Sequence, residues 1–166
     1  MTDSLRDRLL NRERPVARYP CRVAPVEETE AAETAFAVAR KAAMAVRSDD
    51  EKAAAEANKA LAAAATARDA CYEPIRLRAL EPDAFEALQD AYPPAADDAE
   101  AKAKQAADEA YLHAVFLATV EGDLTEQEWT TFVYKNLSTG ERNDLYNLSI
   151  AVNGRVRALN PSVPKG

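Results

Sequence analysis

The longest periodic stretch of the chain runs from Glu27 to Tyr72. Ala32, Phe36, Ala39, Ala43 and Val46 recur at steps of four and three, and Ala57, Ala60, Ala64, Ala67 and Cys71 repeat the rhythm. That spacing is the seam of two helices folded back on each other, with the bend at Ser48-Asp49-Asp50-Glu51. Alanine is the best helix former, and its small side chain lets two backbones approach closely. Ser48 and Glu51 stand at the spacing of a reciprocal cap, which predicts where the second helix begins. A seam of methyl groups buries little area at roughly 25 cal/mol per Å². The hairpin is therefore expected to lean on the rest of the chain.

On both sides of the hairpin the period shortens to that of a strand. Ala17, Tyr19, Cys21 and Val23 alternate with Arg18 and Arg22, and Pro20 marks an edge strand. Ile75, Leu77 and Ala79 alternate in the same way with Arg76 and Arg78. A helical hairpin returns the chain to the end it left, so the two strands should pair antiparallel at its base. Before them, Ser4 to Arg12 reads as a short helix carrying Leu5, Leu9 and Leu10, ended by Pro15.

After the strands, Pro82 opens a helix with Phe85, Leu88 and either Ala91 or Tyr92 on one stripe, closed by Pro93-Pro94. This helix is expected to cover the apolar face of the ribbon. Residues Ala95 to Gln105 fit a solvated half-helix or a linker equally well. Ala107, Tyr111, Ala114 and Ala118 continue into a segment apolar on nearly all sides through Leu112, Val115, Phe116 and Leu117, the expected central helix, with Gly122 as its stop. Thr125 with Glu128 and Ser138 with Glu141 then announce two capped helices, one carrying Trp129, Phe132, Val133 and Leu137, the other Leu145, Leu148 and Val152 and ending at Gly154.

The predicted fold is mainly α: a long Ala-rich antiparallel helical hairpin inserted between two short antiparallel strands, followed by a small C-terminal helical bundle. The expected division is 1–94 for the strand platform with its hairpin (27–72), 95–156 for the bundle, and 157–166 for a flexible tail.

Charge narrows the function. The formal net charge is −7, and neither nucleic acid nor an anionic membrane attracts such a surface. Met1 to Arg14 is charged throughout and unlike a signal peptide, and the run Tyr111 to Val120 is too short to span a bilayer. A cytosolic protein is expected. Cys21, in a strand, and Cys71, on the hairpin seam, read as small buried hydrophobes.

Candidate chemistry is thin. The single histidine, His113, falls on the apolar helix, where a core imidazole is the ordinary role and a catalytic base the rarer one. Asp49-Asp50 and Asp97-Asp98 lack the spacing of a calcium loop, and Gly140 and Gly154 form no phosphate cradle. No enzyme activity, cofactor or metal is expected. Trp129, Phe132 and Tyr134 span too wide an arc of one helix to face a single core, so some aromatic surface should be open, which fits a binding surface and ordinary scattered exposure equally well.

The order of these features resembles the tail assembly chaperones of long-tailed (siphovirus-like) phages, particularly those infecting actinobacteria. The matching stretches are Leu5-Arg6-Asp7-Arg8-Leu9-Leu10, Arg14-Pro15 and Tyr19-Pro20, then the Ala-rich hairpin, then Cys71-Tyr72-Glu73 and Leu80-Glu81-Pro82-Asp83-Ala84-Phe85-Glu86-Ala87-Leu88. Tyr92-Pro93-Pro94 looks like the family's His-Pro-Pro with its His replaced. Leu124-Thr125-Glu126-Gln127-Glu128-Trp129, Leu137-Ser138-Thr139-Gly140-Glu141 and the helix reaching Asn153 complete the match. Asp97 to Asp108 departs from the pattern.

The resemblance implies a protein of the host cytoplasm, absent from the finished virion. It would bind the tape measure protein, a long, helical, aggregation-prone chain, and keep it soluble while tail-tube subunits polymerise around it. Such a chaperone presents an apolar groove to a partner helix. The C-terminal helices are expected to supply it, with Tyr111, Phe116, Trp129 and Phe132 lining or bordering the groove; the family supplies no motif for these positions. Genes of this family often end in a programmed ribosomal frameshift. Val163-Pro164-Lys165 is compatible with a C-CCA-AAG slippery heptamer, which would yield a longer form able to reach the tail-tube protein. Two other readings compete: a structural virion or adaptor protein that forms a homo-oligomeric ring through its hairpin, and a small enzyme built on His113.

Overall fold

The computed structural model describes residues 4–46 and 50–154; the bend residues Ser48 and Asp49 and the tail from 157 lie outside them. The elements run α1 (Leu5–Leu10), β1 (Val16–Arg22), α2 (Val26–Ala45), α3 (Glu51–Asp69), β2 (Tyr72–Arg78), α4 (Pro82–Ala91), α5 (Ala101–Thr119), β3 (Val120–Glu121), α6 (Glu126–Lys135) and α7 (Thr139–Gly154). The chain is mostly helical with one small antiparallel sheet. It parts elsewhere than at Pro94. Residues 20–74 form one unit, and 1–19 with 75–166 form the other.

In the first unit α2 packs along α3. Ala32, Phe36, Ala39 and Ala43 are the half-buried positions of α2, and its C-cap Val46 is half-buried too, following the predicted seam. On α3 the phase differs. Ala57 and Ala64 are half-buried and Cys71 is buried, but Ala60 and Ala67 are exposed, and Leu61 and Arg68 take their places. A helix of alanine on every side gives the sequence no polar face to fix its rotation. The cap of α3 is Asp50, which accepts from the Ala53 amide at 3.0 Å. Near the strands, the Arg68 guanidinium stacks 3.8 Å from the Phe36 ring centre, and the Tyr72 hydroxyl donates to Glu33 at 3.1 Å. Cys21 and Cys71 are both buried thiols.

The sheet has the order β1-β2-β3. Amides at its two ends, Val23 to the Cys71 carbonyl and Ala79 to the Pro15 carbonyl, each at 2.9 Å, run β1 and β2 antiparallel. β1 is the edge strand that Pro20 requires. A third strand replaces the expected two-stranded ribbon: α5 gives way directly to β3, three residues before Gly122. β3 pairs Glu121 with Arg76 and Val120 with Leu77. Two strands alone are marginal. Here Glu121 adds ion pairs to Arg78 and, at 3.5 Å, Arg76, and the Arg78 guanidinium holds its carboxyl below the usual range against the opposing effect of burial.

In the second unit the core consists of Leu77, Val115, Phe116, Val133, Leu145, Tyr146 and Val152, all 2 % exposed or less. α5 packs against both α4 and α7, as befits the central helix. The packing partner of α4 is thus α5, where the ribbon face was expected. Residues 92–100 are irregular, and only from Ala101 does the undecided stretch become helix. Thr119 and Ser149 face the interior, each returning its hydroxyl to a carbonyl of its own helix at 2.9 Å. Asn153 accepts from the Leu80 amide at 2.7 Å and donates to the Ser149 carbonyl at 2.8 Å, which ties the end of β2 to α7.

Candidate functional site

Both sequence-predicted caps of the C-terminal helices form. The Thr125 hydroxyl accepts from the Glu128 amide at 3.3 Å while the Glu128 carboxylate takes the Thr125 amide at 2.8 Å, and Ser138 with Glu141 repeats the geometry. These bonds fix where α6 starts and so which way its aromatic residues point. Trp129 meets Phe116 edge-on, with ring centres 5.8 Å apart, and meets Phe132 at 5.9 Å. Gly122 lies against the same indole. A Cβ there would stand 3.0 Å from Trp129 Cζ2, so the close approach depends on the missing side chain.

The four residues expected to line a groove separate. Phe116 is fully buried, because the apolar last turns of α5 direct this ring inward toward Trp129 and Tyr146; it belongs to the core and offers nothing to a partner. Trp129 and Phe132 are half-buried. Phe132 lines an open depression of about 500 Å³ with Leu124, Thr131 and Asn136, and Leu124 remains 44 % exposed. Tyr111, also half-buried, faces a different depression of about 300 Å³ with Tyr92, Pro94 and Ala107. Trp129 and Phe132 therefore stand together, and Tyr111 stands apart.

His113 has a role that periodicity alone did not show. Its Nε2 lies 3.0 Å from Thr130 Oγ1, and its Nδ1 lies 2.8 Å from the Tyr146 hydroxyl. Thr130 already donates its proton to the Glu126 carbonyl at 2.8 Å, so it accepts from Nε2–H, and Nδ1 accepts from Tyr146. The neutral imidazole thus joins α5, α6 and α7 at one point. Burial lowers its pKa, against the opposing pull of Glu109. Burial, and then the neighbouring Tyr134, raise that of Tyr146. Tyr146, Thr130 and Asn153 were missed because each reads locally as an ordinary helix residue.

A folded-state pKa below the unfolded value near 6.5 makes the unfolded chain the better proton binder at mildly acidic pH. His113 then contributes stability above pH ~6.5, lost as pH falls through the lower folded value. Thermal unfolding followed from pH 7.5 to 5.5 should show this loss, and His113→Gln should flatten that segment. Equal slopes in both proteins would refute the assignment.

Among the described residues no three His, Cys, Asp or Glu side chains gather where a metal ion could be held, and no helix is long and apolar enough to cross a membrane. No family model matches the chain, and neither a curated protein sequence nor a solved structure does.

Proposed function

We propose that the chain is a phage tail assembly chaperone that binds the tape measure protein, keeps it soluble in the host cytoplasm and promotes polymerisation of the tail tube around it. The observation that carries this reading is the aromatic flank of α6. Trp129 is seated against Gly122 and Phe116 and meets Phe132, which lines a depression together with the exposed Leu124. An amphipathic client helix buries apolar anchors in such a depression. Weak single contacts suffice, because many copies on one long client gain avidity and must still be displaced by tube subunits. The net charge of −7 keeps the loaded chaperone soluble. The order of motifs from Leu5 to Asn153 supports the same reading, and a frameshift-extended form would carry the complex to the tail-tube protein.

Co-expression with the neighbouring long helical gene product is the test. The client should move to the soluble fraction with the wild-type chain and return to the pellet with Leu124→Ser/Phe132→Ser. Client solubility that ignores the chaperone altogether would end the proposal. One observation favours the ring-forming structural reading: Val38 and Met44 are 64 % and 77 % exposed on α2. That reading requires the protein in purified particles, where a chaperone is missing.

A further inference from the structure

Charge is segregated along this chain. Between Ser4 and Arg22 six arginines are offset only by Asp7 and Glu13, a net charge of +4. Between Glu81 and Ala110 nine carboxylates are offset only by Lys102 and Lys104, a net charge of −7 equal to that of the whole protein. Each stretch also carries apolar surface without a cover. In the basic stretch, α1 buries none of its residues, and Leu5, Leu9 and Leu10 are 64, 63 and 72 % exposed. Its helical form is nevertheless held by a full capping box between Ser4 and Asp7. In the acidic stretch lies the open depression between α4 and α5, walled by Tyr92, Pro94, Ala107 and Tyr111 with Asp108 on its rim.

The two features are complementary in kind. A short helix with leucines on one side and Arg6 and Arg8 beside them suits an aromatic depression that has Asp108 on its rim and lies within an acidic stretch, since apolar contact supplies affinity and opposite charge supplies orientation. Neither Arg6 nor Arg8 has an ion-pair partner among the described residues. The root of the arm is fixed in its own chain, where Arg14 pairs with Glu81 and the Pro15 carbonyl accepts from the Ala79 amide. Within one copy the leucines stay exposed and the depression stays open.

We infer that two copies of this chain exchange their N-terminal arms, the α1 helix of each occupying the Tyr92–Tyr111 depression of the other. One helix in one depression is small against the roughly 1,600 Å² of a standard interface. Reciprocal exchange about a two-fold axis makes the contact twice and buries both leucine clusters. The inference uses neither α6 nor any client, so it stands or falls apart from the chaperone reading.

Sedimentation equilibrium of the full chain over a wide concentration range tests it. A reversible dimer is expected, weakened about tenfold or more between low and high salt. Arg6→Glu/Arg8→Glu should leave a monomer, as should Asp90→Arg/Asp108→Arg, each with unchanged far-UV circular dichroism. Mixing the two charge-reversed proteins, or combining the four substitutions in one chain, should restore the dimer. A monomer at every concentration would overturn the inference, whether the arm folds onto its own chain or awaits another protein. A dimer indifferent to both reversals would overturn it equally, because its interface would then lie elsewhere.

Discussion

Phe116→Ala lowers the midpoint of thermal unfolding by roughly 10 °C, the largest loss expected from any single side chain outside the hairpin. The ring is fully buried on α5, and three aromatic groups converge on it: Trp129 with its centre at 5.8 Å, Tyr146 at 6.1 Å and His113 at 6.4 Å. Removing it forfeits the transfer energy of a phenyl group and leaves a void that rigid neighbours cannot fill, a cost of about 3–5 kcal/mol. Trp129 is the only tryptophan, so its fluorescence follows this unit directly. A shift below about 3 °C would mean that the four rings are not packed as described.

Leu77→Ala is the counterpart in the sheet. β2 is the central strand, and Leu77 is its most buried residue at 0 % exposure, with Ile75 and Ala79 on the same face. The expected cost is about 2–5 kcal/mol, read as a lower urea midpoint at unchanged slope. Leu9→Ala removes the same side chain from the exposed arm and should cost under about 0.5 kcal/mol in a dilute, monomeric sample. Equal effects from the two substitutions would contradict the burial pattern on which the fold rests.

What the sequence revealed follows from how local each signal is. The caps Thr125/Glu128 and Ser138/Glu141 were legible because a reciprocal cap involves residues three apart and nothing else. The alternation Ile75, Leu77, Ala79 was legible because Arg76 and Arg78 mark the other face. β3 was not, since two residues carry no period; Val120 and Glu121 become a strand only because β2 offers an unpaired edge and two arginines. The rotation of α3 was hidden by alanines at Ala60 and Ala67 that look no different from those at Ala57 and Ala64. The inward turn of Phe116 was hidden in the same way, in the last turns of α5, which are apolar on nearly all sides. At the candidate site, the spread of aromatics over α6 showed that some must be open, and the pairing of Trp129 with Phe132 is an i, i+3 contact within that one helix, while the isolation of Tyr111 depends on distant elements.

The alanine seam of α2 and α3 has a consequence for how long the hairpin can be. Its bulky, specific contacts, Phe36 under Arg68 and Glu33 with Tyr72, sit near the strands and set the alignment from one end. Beyond them the seam is mostly alanine, with Leu61 and Val46 its larger members, and one helical turn of such a zipper is nearly interchangeable with the next. Matched insertions or deletions of whole turns toward the bend would therefore lengthen or shorten the rod while leaving its anchored end untouched. The length of this helical pair is a quantity that evolution, or a designer, can adjust without redesigning the strand end.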